Sequence, residues 1–270
     1  MTGPSEIEIV ALGAFTGLTI YLGMPLARIR GLSDSTRALL SAFAAGILIF
    51  IFFDVLQNAN GIVRSHVGVS TPDFLGEAGV LLVGFAAGMM TLVVVELGFA
   101  RRLHARTPTG LPPGAPAPFD PKSLATMVAV GIGLHNFSEG LAIGASYAAG
   151  AFALGAVLVI GFAIHNSTEG FGILGPGMMA GTRFSKSRVL ALGAVGGAPT
   201  VLGTLVGSLL TSDVLSILFF GLAAGAILYV VMQMARPMLG PATRHLAMVG
   251  LVVGFSLGYA TDLVITLGGA

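Results

Sequence analysis

Residues 123–148 read SLATMVAVGIGLHNFSEGLAIGASYA, and residues 151–175 read AFALGAVLVIGFAIHNSTEGFGILG. The hydrocarbon core of a bilayer is roughly 30 Å thick, and a helix needs about 20 apolar residues to cross it. Both stretches are long enough for one crossing, yet each carries His, Asn and Glu near its centre. The two segments therefore predict neighbouring membrane helices with a polar site between them.

The composition of the whole chain agrees with a membrane protein. Hydrophobic residues make up 55% of the 270 positions and charged residues 9%, whereas soluble domains carry roughly 25% charged residues. Cysteine is absent, which excludes a disulfide framework and thiolate chemistry. We predict an all-α integral membrane protein in which residues 1–270 form a single domain, a bundle of eight transmembrane helices. The spans are expected at approximately 6–27, 37–58, 75–100, 123–148, 151–175, 188–211, 213–236 and 245–268.

The positions of the basic residues predict the orientation of the bundle. Twelve of the thirteen Lys and Arg residues lie around connections that follow odd-numbered spans, and only Arg64 follows an even-numbered one. Because cytoplasmic loops are enriched in Lys and Arg, the odd connections are expected in the cytoplasm and both termini on the other side. The longest connection, the proline-rich linker 101–122, is then cytoplasmic, and its composition predicts a flexible or polyproline-like segment and not a domain.

The sequence H-N-x-x-E-G occurs twice, once in each of the two quoted segments. On an α-helix, residues four apart lie on one face, so His and Glu of each copy point the same way. The short connection between the segments makes the helices antiparallel neighbours, which brings the motifs together at similar depth. The resulting candidate metal ligands are His135, Asn136, Glu139, His165, Asn166 and Glu169.

Imidazole and carboxylate ligands suit zinc and neighbouring first-row divalent ions. The competing interpretation is structural, because a lone His or Asn in a membrane is often only an interhelical hydrogen-bond partner. Insertion scales assign an acidic residue at a helix centre a penalty of about 2.5–3.5 kcal/mol. Two such residues in adjacent spans favour a site that holds a divalent cation.

These motifs, HNFSEG and HNSTEG, resemble the paired signatures of the ZIP (Zrt/Irt-like) family of metal transporters. The resemblance implies eight spans, a binuclear metal centre between spans 4 and 5, and two bundles that move relative to each other. It also implies a function, the transport of divalent cations, most readily zinc and otherwise iron, manganese or cadmium, into the cytoplasm. The metal is then the transported substrate, and no cofactor is expected.

The sequence departs from the family pattern in three places. Ser138 and Thr168 stand where the family usually has Pro before each motif Glu, and their hydroxyls are candidates for back-bonding or for lining the pathway. Ala198 stands in span 6 where the family often has Glu, so one strong metal site or a weaker second one is expected. The linker holds only His104 in place of a His-rich tract.

Further expectations concern the pathway and the partners. Asp54, toward the outer end of span 2, either collects cations at the mouth of the pathway or contacts water at the interface. The expected partners are a divalent metal ion and the lipid bilayer, with no nucleic acid. Small residues at four-residue spacing suit either a tight bundle or a homodimer interface, so the oligomeric state stays open.

Two other functions compete with metal transport. The two glutamates also suit a proton- or cation-coupled carrier of another substrate, in which they act as a relay. An intramembrane metallohydrolase is less favoured, because zinc proteases commonly have H-E-x-x-H and use that Glu as the general base. Here the residue after each His is Asn, which cannot abstract a proton.

Overall fold

The computed structural model describes residues 4–25, 33–106, 120–210, 212–238 and 243–267, and every regular element in these ranges is a helix. The predicted all-α class is therefore confirmed for the described residues. The helices in chain order are α1 Glu6–Leu18, α2 Ile20–Gly23, α3 Asp34–Ser65, α4 Thr71–Arg106, α5 Pro121–Ala148, α6 Phe152–Met179, α7 Lys186–Leu209, α8 Asp213–Met238 and α9 Arg244–Leu267.

Short polar residues fix where several helices begin. Ser5 and Glu8 form a reciprocal capping box at the start of α1. The Asp120 carboxylate accepts from two backbone N–H groups at the start of α5, where Pro121 occupies the first helical turn. Between α5 and α6, Gly150 adopts a positive φ of 75°, which closes the tight antiparallel connection that the sequence predicts.

Every predicted span corresponds to a helix, the first to α1 and α2 together, which are separated by a break at Thr19. Seven helical segments in the described ranges are long and apolar enough to cross a membrane. The segment outside this set is α5, predicted span 4. Its length is sufficient, but it is less hydrophobic overall than α6, which carries the same polar motif and is in the set. The prediction of eight spans is thus confirmed in part, because seven of the described segments are capable of spanning a membrane.

Some expectations fall outside the described residues. They include most of the linker 101–122, of which 107–119 are not described, and Arg28 and Arg30. The cytoplasmic placement of these segments and the orientation of the termini stay predictions.

The helices pack as two groups. Group 1 contains α1, α2, α5, α6 and α7, with its most extensive interface between α5 and α7. Group 2 contains α3, α4, α8 and α9, with α3 against α9 and α4 against α8. The groups meet mainly where α5 packs on α8 and α6 packs on α3. Both copies of the H-N-x-x-E-G motif lie in group 1.

The contacts made by glycines also distinguish packing within each group from packing between the groups. Within group 1, a Cβ added at Gly203 would collide with the carbonyl oxygen of Phe137. Within group 2, a Cβ at Gly254 would collide with the carbonyl oxygen of Phe43. Between the groups, a Cβ at Gly131 would lie 3.5 Å or more from α8, whereas one at Gly175 would lie 2.7 Å from the Cβ of Ala44 in α3. The collisions at Gly203 and Gly254 are thus with backbone atoms, whereas the closest atoms to Gly131 and Gly175 across the groups belong to side chains.

The glycines at four-residue spacing are thus used for packing within one chain. All of those that the sequence singles out pack against a neighbouring helix of the same chain, namely Gly84, Gly88, Gly140, Gly144, Gly203, Gly207, Gly221, Gly225, Gly250, Gly254 and Gly258. The spacing therefore serves the tight bundle, and it gives no separate support to a homodimer.

We predict that Gly203→Ala lowers the stability of the protein in detergent by about 1–3 kcal/mol, because the methyl group forces α5 and α7 apart. Gly61→Ala is the matched control, since an added Cβ there meets nothing within 4 Å. The control is expected to be neutral or slightly stabilising. Thermal unfolding of the two variants measures the difference, and equal midpoints would contradict the close α5–α7 contact.

Candidate metal centre

The His and Glu side chains of the two motifs converge between α5 and α6. The Nε2 atom of His135 lies 3.5 Å from Oε1 of Glu139 and 3.7 Å from Oε1 of Glu169. The Nε2 atom of His165 lies 3.8 Å from the same Glu169 oxygen. All four side chains are at most 4% exposed. The four groups thus form one buried cluster shared by two antiparallel helices.

The separations in this cluster suit a bridging cation better than direct hydrogen bonds. Hydrogen bonds between such atoms are normally 2.7–3.2 Å long. A tetrahedral zinc ion with bonds of about 2.0–2.2 Å holds its ligand atoms about 3.3–3.6 Å apart. One ligand atom each from His135, His165 and Glu169 lies within 4.8 Å of the others. Small side-chain movements would bring these atoms onto one ion.

Glu139 occupies a different place from Glu169. Glu169 lies close to both imidazoles, whereas Glu139 contacts the cluster through His135 and is not part of the three-residue group. The two glutamates, equivalent in sequence, are therefore not equivalent in space.

Unpaired polar atoms concentrate in this cluster. Ten buried side-chain nitrogen and oxygen atoms in the described residues lack a hydrogen-bond partner, and eight of them belong to the six predicted ligand residues. They include both nitrogens of His135, Nε2 of His165 and both carboxylate oxygens of Glu169. Native proteins normally pair such groups, so this concentration indicates a site that a polar or charged ligand completes.

The two asparagines hold their helices against neighbouring backbone. The Nδ2 group of Asn136 donates to the carbonyl oxygen of Gly196 in α7 at 3.0 Å, and that of Asn166 donates to Thr16 in α1 at 3.2 Å. Each amide oxygen, Oδ1, is buried without a partner. The amide nitrogens thus perform the interhelical role that a lone Asn usually has, while the oxygens stay available as acceptors.

The glycine that ends each motif extends this docking. A Cβ on Gly140 would collide with the carbonyl oxygen of Thr200, and one on Gly170 with that of Ile20. Thr200 lies four residues after the carbonyl that Asn136 contacts, and Ile20 lies four residues after the one that Asn166 contacts. Both copies therefore use Asn and Gly to follow one turn of a neighbouring helix, and His and Glu to form the cluster.

The residues that replace Pro in the motifs bond back to their own helices. The hydroxyl of Ser138 donates to the carbonyl oxygen of Leu134 at 3.4 Å, and that of Thr168 donates to His165 at 2.7 Å. Ala198, where the family often has an acid, is exposed on α7.

Asp54 lies in α3 and is partly buried. Its carboxylate accepts from the side-chain amide of Asn58 at 3.1 Å. Its role at the mouth of the pathway stays a prediction.

Three residues that contact the motifs could not be predicted as their partners from the sequence alone. The carbonyl groups of Thr16 and Gly196 accept from the asparagines, and the hydroxyl of Thr261 lies 3.2 Å from Nδ1 of His165. The available signal was weak: Thr16 and Thr19 interrupt an apolar run, and Thr261 precedes Asp262 in another.

Comparison with known proteins agrees with this geometry. The model of the ZIP zinc transporter family matches residues 119–261, which is more than half of the chain. The chain belongs to the ZIP zinc transporter family. A search of curated proteins finds no match.

The matched region contains α5 to α8, most of α9 and all six predicted ligands of this ZIP protein. Membership of the family makes the chain a multi-pass membrane protein that transports divalent metal ions. ZIP proteins are transporters and not enzymes, which disfavours the hydrolase interpretation.

We predict that zinc raises the thermal unfolding midpoint of the purified protein, because an ion that binds only the folded state stabilises it by mass action. At a zinc concentration of 100 times the dissociation constant, the gain is about 2.7 kcal/mol. His165→Ala should remove most of the effect, whereas His245→Ala, at an exposed position in α9, should retain it. Equal zinc-dependent shifts in both variants would argue against the cluster.

Proposed function

We propose that this ZIP protein carries zinc, or a similar divalent ion, into the cytoplasm through a site between α5 and α6. The proposed ligands are His135, His165 and Glu169, with Glu139 reaching the ion from the His135 side. The observation that carries the proposal is the convergence of two imidazoles and two carboxylates, among whose buried atoms both nitrogens of His135, Nε2 of His165 and both oxygens of Glu169 lack a hydrogen-bond partner. A dipositive ion would neutralise the two carboxylates where the surrounding helices exclude water.

The asparagine oxygens complete the proposed set as acceptors beside the ion. Because each amide nitrogen is bound to a backbone carbonyl, each side chain keeps one orientation. We propose one strong site, since α7 provides no carboxylate at Ala198 and that side chain is exposed. The lack of thiolate ligands suits a site that releases its ion, because structural zinc sites commonly use Cys.

In the proposed topology α5 also crosses the membrane, as span 4, so that the single domain has eight spans. Most of its central residues are buried by neighbouring helices, which shields the polar motif from lipid. The alternation of basic residues supports termini outside the cytoplasm and a cytoplasmic linker. No described contact supports a homodimer, which stays a prediction.

The proposed transport cycle moves group 1 relative to group 2. His135, His165 and Glu169 all belong to group 1, so the ion would travel with one body. Backbone contacts at glycines support the rigidity of each group, whereas the closest contacts of Gly131 and Gly175 with the other group are made by side chains. Asp54 is partly buried in α3 of group 2, and we propose that its carboxylate contacts the ion on its way to or from the cluster.

We predict that Glu139→Gln and Glu169→Gln each reduce zinc uptake by at least tenfold. Each change removes one of two central carboxylates while it preserves side-chain shape. Uptake is measured with a zinc-sensitive dye inside vesicles that contain the purified protein. Glu6→Gln is the matched control, because Glu6 is exposed at the start of α1.

The same vesicles distinguish the competing function. Proton movement in the absence of metal, retained in the control and lost in the two variants, would favour the relay. Full zinc uptake by Glu169→Gln in correctly inserted protein would refute the proposed ligand role.

A further inference from the structure

Thr261 contacts one imidazole of the cluster from the opposite group of helices. It lies in α9, is 6% exposed, and its Oγ1 is 3.2 Å from Nδ1 of His165. It is 96 residues distant from His165 in sequence. The contact therefore joins group 2 directly to a proposed ligand of group 1.

The proton count at the Thr261 hydroxyl assigns the direction of this bond. A hydroxyl has one proton to donate, and the hydroxyl of Thr261 donates it to the carbonyl oxygen of Gly258 at 2.7 Å. Such bonds to a preceding carbonyl are common for helical Ser and Thr. The oxygen then accepts from the Nδ1–H group of His165. In this tautomer Nε2 carries a free lone pair, and Nε2 is the atom that faces Glu169.

The ring of His165 is also held on another side by group 2. Phe50 in α3 packs against it edge to face, with ring centroids 6.0 Å apart. Phe50 in turn packs against Gly258, where an added Cβ would lie 2.7 Å from the phenyl ring. The hydroxyl and the phenyl ring together restrict the orientation of the imidazole.

The other motif lacks this support. Neither ring nitrogen of His135 has a hydrogen-bond partner among the described residues. The two histidines occupy equivalent motif positions, yet only His165 has a neighbour that selects its tautomer. The difference comes from α9 and not from the motif.

We propose that Thr261 is a positioning residue that holds His165 in the Nδ1–H tautomer, so that Nε2 is free to bind the transported cation. This inference rests on the proposed function of the cluster. Outer partners of metal-binding histidines act in this way, and their loss typically weakens metal affinity 10–100-fold. Because the bond runs between the groups, the affinity contributed by His165 depends on their relative position.

The test compares Thr261→Val with Thr261→Ser in the full chain. Valine keeps the shape but lacks the acceptor, whereas serine retains it. Nitrogen-15 NMR of protein labelled at histidine reports the tautomer of His165 without metal, with His165→Ala to assign its signals. Calorimetric titration with zinc reports affinity. Thr91→Val is the matched control, because the exposed Thr91 hydroxyl bonds back to Ala87 in its own helix and contacts no histidine.

The expected result is an Nδ1–H signal for His165 in the original protein and in Thr261→Ser. In Thr261→Val this signal should diminish, and zinc affinity should fall by about tenfold or more. An Nε2–H tautomer in the original protein overturns the proposal even if the valine variant does not fold. Unchanged zinc affinity in folded Thr261→Val also overturns it. The tautomer of His165 and the zinc affinity are both measured without transport. A protein that fails only in zinc uptake would therefore count against the proposed function and not against the positioning role of Thr261.

Discussion

Two carboxylates buried between imidazoles, at the centre of a hydrophobic bundle, are the constraint on which the rest of the structure depends. Such groups are stable there only if a cation or a hydrogen-bond donor compensates them. Neither carboxylate oxygen of Glu169 has a hydrogen-bond partner among the described residues, and the Nε2 atoms of His135 and His165 lie 3.7 and 3.8 Å from one of them. The surrounding helices therefore have to keep the four side chains close together while several of their polar atoms are left without hydrogen bonds.

That requirement explains why the residues of the repeated motif have two different roles. In both copies His and Glu form the site, while Asn and Gly lock the helix to the backbone of a neighbour. The neighbours differ, because α5 docks on α7 and α6 docks on α1 and α2. Two unrelated surfaces thus support one cluster, and α9 adds a third contact through Thr261 that only one copy receives.

The features that depend on local periodicity could be predicted from the sequence. The four-residue spacing of His and Glu and the short turn at Gly150 already indicate convergence of the motifs. The docking of Asn136 and Asn166 could not be predicted, because it depends on where the backbones of α7 and α1 lie. The same holds for Glu96, whose carboxylate accepts hydrogen bonds from Tyr229 and Gln233 in α8. Such partners are set by tertiary packing and leave no local pattern.

The polar centre of α5 also has a consequence for how the chain is made. A segment of low hydropathy is a poor substrate for independent insertion by the translocon. The helix that covers most of α5 is α7, which is synthesised after α6 has emerged. Stable integration of α5 is therefore expected to be a late, cooperative event in biogenesis, completed only when residues 186–209 arrive. The placement of His135 and Glu139 is thus expected to depend on a part of the chain that is synthesised after both motifs.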